Sequence, residues 1–182
     1  MPSNVGKVFE SDFVKSAPNY LAIIRLPDPP QSFTKRSDTR FSRKNPFDYV
    51  CFSAKHRILL CAELKTTKFR SISFEDINDD NAQNRLIHKH QILGLMKYDE
   101  FESAACGFLF NFRDEKNNEE RTYWQFIDDF NKMTKSINKH SVNELDILTN
   151  NGIKVQGRLK RVHYSWDIDK LLDDIYDRMY NN

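Results

Sequence analysis

The sequence predicts an α/β fold in which a mixed β-sheet is flanked by helices. Three observations carry this: short apolar stretches alternate with helically spaced ones, residues 47–65 read as a tight hairpin, and residues 165–180 read as an amphipathic helix. A chain of 182 residues, 39% hydrophobic and 30% charged, is read as a single domain over residues 1–182 with enough apolar mass for a core.

In residues 4–17, Val5, Phe9 and Phe13 recur at helical spacing until Pro18, which predicts a first helix. Residues 20–26 are short and β-rich, and Pro27, Pro29 and Pro30 end them as a strand. Hydrophobic periodicity then vanishes over residues 31–46, where Lys35, Arg36, Arg40, Arg43 and Lys44 face one acid, Asp38, so a basic projecting loop is expected. Residues 47–52 and 57–65 read as two strands around a turn at residues 53–56. A helix is expected over residues 86–98, with Ile87, Gln91 and Leu95 in one row, then strands at 104–112 and 121–127 separated by the polar turn 114–120. Ser141 and Glu144 have the spacing of a capping box before a short helix. The last helix carries Ile168, Leu171, Leu172, Ile175 and Met179 as an apolar stripe.

The longest apolar runs, residues 58–61 and 92–96, are far shorter than the roughly 18 residues of a membrane span. Lys7, Glu10 and Asp12 interrupt any secretory-type opening, so a cytoplasmic location without membrane attachment is expected. Cys51, Cys61 and Cys106 sit in apolar stretches with no C-x-x-C spacing and read as reduced core residues. A net charge of +2 says little about partners, so the local clusters carry the information.

The residues with chemistry are Asp48, Glu63 and Lys65. Alternate side chains of a strand share a face, so Glu63 and Lys65 point the same way, about 6.6 Å apart along the strand. With a turn centred on Ala54 and Lys55, Ser53 pairs with His56, Asp48 faces Cys61, and Asp48 and Glu63 become diagonal neighbours roughly 7 Å apart. Carboxylates inside the apolar runs 47–52 and 58–64 are costly unless paired or metal-bound. Two hard oxygen ligands suit Mg²⁺, with Mn²⁺ as a second candidate, and Lys65 beside them suits phosphodiester hydrolysis. His88 and His90 are two apart on the expected helix, hence face different ways, and no histidine metal site is expected.

Gly6-Lys7-x-x-Glu10, Asp48-Tyr49, Glu63-Leu64-Lys65-Thr66 and His90-Gln91 follow one another in order, and residues 158–176 close the series with Asp169, Leu172 and Tyr176. In these pieces, over nearly everything from Gly6 onward, the chain resembles the RecU Holliday junction resolvases, or penicillin-binding-protein-related factor A, within the PD-(D/E)xK nucleases. The resemblance implies a restriction-endonuclease-like fold and a metal held by Asp48, Glu63 and the Leu64 carbonyl, with Glu10 approaching from the first helix. It also implies Lys65 as catalytic lysine and Gln91 as a polar positioning group. Residues 31–46 occupy the place of the family's stalk, which enters the junction centre. Pro46-Phe47 departs from the small hydroxyl residues expected before the aspartate, and only five residues precede Gly6, where cellular members carry a basic extension.

Phosphate contact is expected from the basic loop and from a second run, Lys154, Arg158, Lys160 and Arg161, with no acid between Asn150 and His163. A four-way junction is nearly two-fold symmetric, so a C2 homodimer supplying two nicks is the expected assembly, acting in recombination and repair with a recombinase as a possible partner. The alternatives are a non-catalytic junction-binding or recombinase-regulating module, and a nuclease of the same fold acting on other DNA structures.

Overall fold

Phe9 and Phe13, one helical turn apart, are both buried and seat the first helix, α1 (Val5–Lys15), on the sheet. The structure is a computed structural model that describes residues 5–27, 44–79 and 84–181. After α1 come β1 (Leu21–Arg25), β2 (Tyr49–Ser53), β3 (Ile58–Thr67), β4 (Ser71–Ser73), α2 (Lys89–Asp99), β5 (Ala104–Asp114) and β6 (Glu119–Phe126). Then follow α3 (Ile127–Ser136), β7 (Ser141–Asn143), α4 (Glu144–Thr149), β8 (Ile153–Val155), β9 (Gly157–Lys160), β10 (His163–Trp166) and α5 (Ile168–Tyr180).

The main sheet runs β1-β2-β3-β5-β6-β8 among the described residues. Only β3 and β5 are parallel, and the chain between them holds β4 and α2, the crossover that parallel pairing demands. This is the α/β fold, a mixed sheet flanked by helices, that the sequence predicts. Strand alternation divides the core. Leu60, Ala62 and Leu64 of β3 face α1 and α5, packing with Phe13, Tyr49, Leu171 and Leu172. Cys61 faces α2 and α3 beside Phe108, Phe110, Ile92 and Phe130. Residues of β3 on that second face, Glu63 and Lys65 included, point toward α2.

Several expectations need correction. The hairpin pairs Ser53 with Ile58, not His56, because residues 54–57 form a wider turn in which Arg57 takes φ 56°. The register is thus shifted by two residues. The third helix was not expected: the aromatic run that reads as strand gives way at Ile127, where Ile127, Phe130 and Met133 bury one helical face. The capping box before α4 is formed by Asn143 and Asp146; Ser141 lies instead in β7, paired with Ser73. The second helix starts at Lys89 rather than 86, since Ile87 bridges Phe74 and His88 is extended. Ser165 and Trp166 belong to β10, so the last helix begins only at Ile168. All three cysteines are buried with free thiols. No helix among the described residues is long and apolar enough to cross a membrane.

Candidate active site

Asp48 lies one step beyond the last β2–β3 pair, Tyr49 with Ala62, and its N–H donates to the Ala62 carbonyl at 3.2 Å. This brings the Asp48 carboxyl within hydrogen-bonding reach of Glu63, closer than the diagonal expected from the narrower turn. A two-residue shift preserves the parity of strand faces, so the acids stay on one side of the sheet. The Leu64 N–H donates to Asp48 Oδ2 at 2.9 Å and fixes that carboxylate against β3. In a strand the N–H and C=O of one residue leave along the same edge, so the Leu64 carbonyl faces Asp48 too.

Glu63 is 1% exposed. Its Oε1 pairs with Lys65 Nζ at 2.8 Å and also accepts from Gln91 Nε2. Gln91 sits in the first turn of α2, where its Oε1 accepts from the His88 N–H at 2.9 Å, so one amide ties the helix start to the acid. Burial pushes the Glu63 carboxyl up to about 7; Lys65 opposes this and Asp48 adds to it. Burial likewise holds Asp48 above its ordinary value, with the Leu64 N–H and Lys65 pulling it down and Glu10 pushing it further up.

The second oxygen, Glu63 Oε2, is buried and receives no hydrogen bond. The neighbouring Asp48 carboxyl can donate to it only while one acid is protonated; with both ionised, an unpaired oxygen faces a like charge. That orphaned oxygen, the carboxylate opposite and the adjacent main-chain carbonyl are the hard, open donor set that suits Mg²⁺. Among the described residues no three His, Cys, Asp or Glu side chains gather into a metal-holding group, so a cation here would need the carbonyl and water for the rest of its shell. Glu10 is engaged otherwise: its Oε2 accepts from Arg25 Nε at 2.9 Å and from the Tyr49 hydroxyl at 3.1 Å. It reaches the site as a nearby charge felt by Asp48.

His88 and His90 do not face apart. Their rings stack, centroids 5.6 Å apart and 16° between planes, because His88 precedes the helix in an extended conformation. Burial and the charges of Lys44 and His88 lower the His90 pKa to about 4, leaving a neutral imidazole. Lys44 is exposed near this end of α2. Lys35, Arg36, Arg40 and Arg43 fall outside the described residues. Arg158 and Lys160 are exposed on β9, Arg161 sits at the hairpin turn with φ 60°, and Lys154 is exposed on β8. This hairpin docks on α1 through Asp12, which accepts from the Tyr164 N–H at 2.9 Å and pairs with His163 Nδ1 at 2.8 Å.

A Bacillus subtilis (strain 168) protein described as SPbeta prophage-derived uncharacterized protein YotM is 31% identical over 185 residues, covering 95% of this chain and 87% of that protein. The chain belongs to the YotM family. No protein-family model matches this chain. Among solved structures, Archaeoglobus fulgidus Hjc, described as a Holliday junction resolvase from an archaeal hyperthermophile, aligns with a TM-score of 0.49 and 14% identity, over 82% of this chain and 95% of that one.

Proposed function

We propose that this protein is a Mg²⁺-dependent endodeoxyribonuclease that resolves four-way DNA junctions, with Mn²⁺ able to substitute. One observation carries the reading: the Asp48 and Glu63 carboxyls lie within hydrogen-bonding reach of each other beside Lys65, and a buried Glu63 oxygen lacks a donor. Asp48, Glu63 and the Leu64 carbonyl would hold the ion. When bound, it would polarise the scissile phosphate and lower the pKa of an attacking water. Lys65, whose side chain is 17% exposed, has its ammonium restrained by Glu63 and can turn it toward a phosphate oxygen on the solvent side. Gln91 positions Glu63 by occupying the same oxygen as Lys65, which keeps Oε2 directed at Asp48. Glu10 acts at longer range, adding negative charge that strengthens cation binding.

The specific substrate rests on the RecU-like order of motifs and on the basic run at 31–46, which stands between β1 and β2. Two symmetric nicks require two sites, so the acting species is a C2 homodimer in recombination and repair, with a recombinase as its partner. A gel assay decides the matter: the protein is incubated with a synthetic four-way junction, a flap and a linear duplex, with and without Mg²⁺. Paired nicks in the junction arms, only with the metal, are expected. Cleavage of the flap or duplex alone points to another DNA structure, and no cleavage in Mg²⁺ or Mn²⁺ reduces the protein to a binding module.

A further inference from the structure

Strand β3 continues past Lys65 into a turn, and the side chains on that turn have no role in the site. Thr67 shares the Glu63 and Lys65 face by strand alternation, and its hydroxyl accepts from the Phe69 N–H at 3.0 Å, which shapes the turn. The turn presents Lys68, Phe69 and Arg70, all exposed, with Phe69 at 69%. A single exposed aromatic is ordinary on a protein surface. This one is held between two cations that form no ion pair among the described residues, at the end of the strand that carries the catalytic lysine.

Behind the turn lies a groove of about 660 Å³ between the ends of β3 and the β5–β6 hairpin. Arg113, Lys116 and Arg121 line its far wall, with Asp114, Glu115 and Glu144 among them. Glu144 is taken by Arg121 and by the Tyr123 hydroxyl, and Asp114 accepts from Asn117 within its own turn. Arg113 and Arg121 are paired with Glu120, Glu119 and Glu144, whereas Lys116, like Lys68 and Arg70, has no ion-pair partner among the described residues, so these three cations are the ones open to a phosphate. Phe69 lies two residues past the end of β3, at most roughly 13 Å from Lys65, within reach of the same nucleic-acid strand.

We propose that the Lys68-Phe69-Arg70 turn and its groove bind the DNA strand leading away from the scissile phosphate, with the Phe69 ring stacking on a base unpaired at the branch and the two cations on flanking phosphates. This rests on the DNA-cleaving reading above and adds a branch-sensing contact to it. Stacking of a base on an aromatic is sequence-tolerant and needs an unpaired base, so Phe69 discriminates structure and the cations do not.

The test measures binding of the full-length protein in EDTA by fluorescence anisotropy, to a four-way junction and to a linear duplex of the same arm sequence, across salt concentrations. Phe69→Ala is expected to lose on the order of tenfold in junction affinity, with little change on the duplex and an unchanged salt slope. Lys68→Ala with Arg70→Ala is expected to weaken binding to both DNAs and to lower the slope by roughly two. Wild-type affinity in Phe69→Ala, or an equal loss on both DNAs, overturns the inference. Cleavage of the junction by such an unaffected variant leaves the nuclease reading intact, whereas Phe69-dependent binding without cleavage by wild type in Mg²⁺ or Mn²⁺ leaves this contact standing and removes the nuclease. A wild-type protein that binds neither DNA sinks both.

Discussion

Gly94 lies against Pro46 so closely that a Cβ built on the glycine would stand 2.6 Å from the proline Cβ and 2.6 Å from its carbonyl oxygen. The contact seats α2 on the segment leading to Asp48, with Phe47 buried beside it edge-on to Tyr98 at 5.0 Å. In an exposed helix Gly→Ala would add up to about 1 kcal/mol of stability. Here the added methyl must push on backbone, and overpacking of this kind costs about 1–3 kcal/mol. Gly94→Ala is therefore expected to lower the urea midpoint without changing the slope; a midpoint at or above wild type would show that α2 can shift freely.

The paired acids and the lysine divide binding from cleavage. Asp48→Asn or Lys65→Ala is expected to abolish junction cleavage in Mg²⁺ while leaving junction affinity in EDTA within a few-fold of wild type. Either variant retaining cleavage would remove that residue from the reaction.

Glu63 links the site to pH. Its carboxyl titrates near 7 in the fold and near 4.5 as a free side chain, so between those values the folded protein holds a proton that the unfolded chain has released. Stability of the metal-free protein is accordingly expected to fall as pH rises through that window. The neutral, isosteric Glu63→Gln should abolish this dependence, melting several degrees above wild type at pH 8 in EDTA and close to it at pH 5. Equal melting temperatures at pH 8 would mean that the lone Glu63 oxygen carries no penalty.

The basic loop is expected to act through charge. Neutralising Lys35, Arg36, Arg40, Arg43 and Lys44 together should weaken junction binding and flatten its dependence on salt, by up to about 0.9 in slope per lost phosphate contact. An unaltered slope would take the loop out of the DNA interface.

How much of this was legible follows from what each signal depends on. The acid pair survived a mistaken register because a two-residue slip conserves face parity; a one-residue slip would have sent Asp48 to the α1 side. The slip itself was hidden, since the turn accommodates a positive φ at Arg57 with no glycine to announce it. The third helix had a readable signal, Ile127, Phe130 and Met133 with Asp128 and Asp129 in the first turn, but the preceding aromatic run masked its start. The β9–β10 hairpin was hidden among charges, as every residue of β9 is exposed and only Trp166 of β10 is buried, which leaves no apolar alternation. The three-residue strands β4 and β7 are shorter than any periodicity can show. Gln91 was placed near the site only by motif resemblance, because its bond to Glu63 crosses from a helix to a strand 28 residues away.

The two ends of the segment joining β1 to β2 are stapled together. The Leu26 N–H donates to the Asp48 carbonyl at 2.8 Å, and Asn45 Nδ2 to the Pro27 carbonyl at 2.6 Å. Because the entropy of closing a connection on a fixed base rises only slowly with its length, the sequence between these staples can lengthen, shorten or change its charge without displacing Asp48. The proposed substrate contacts and the proposed chemistry are thereby free to diverge independently.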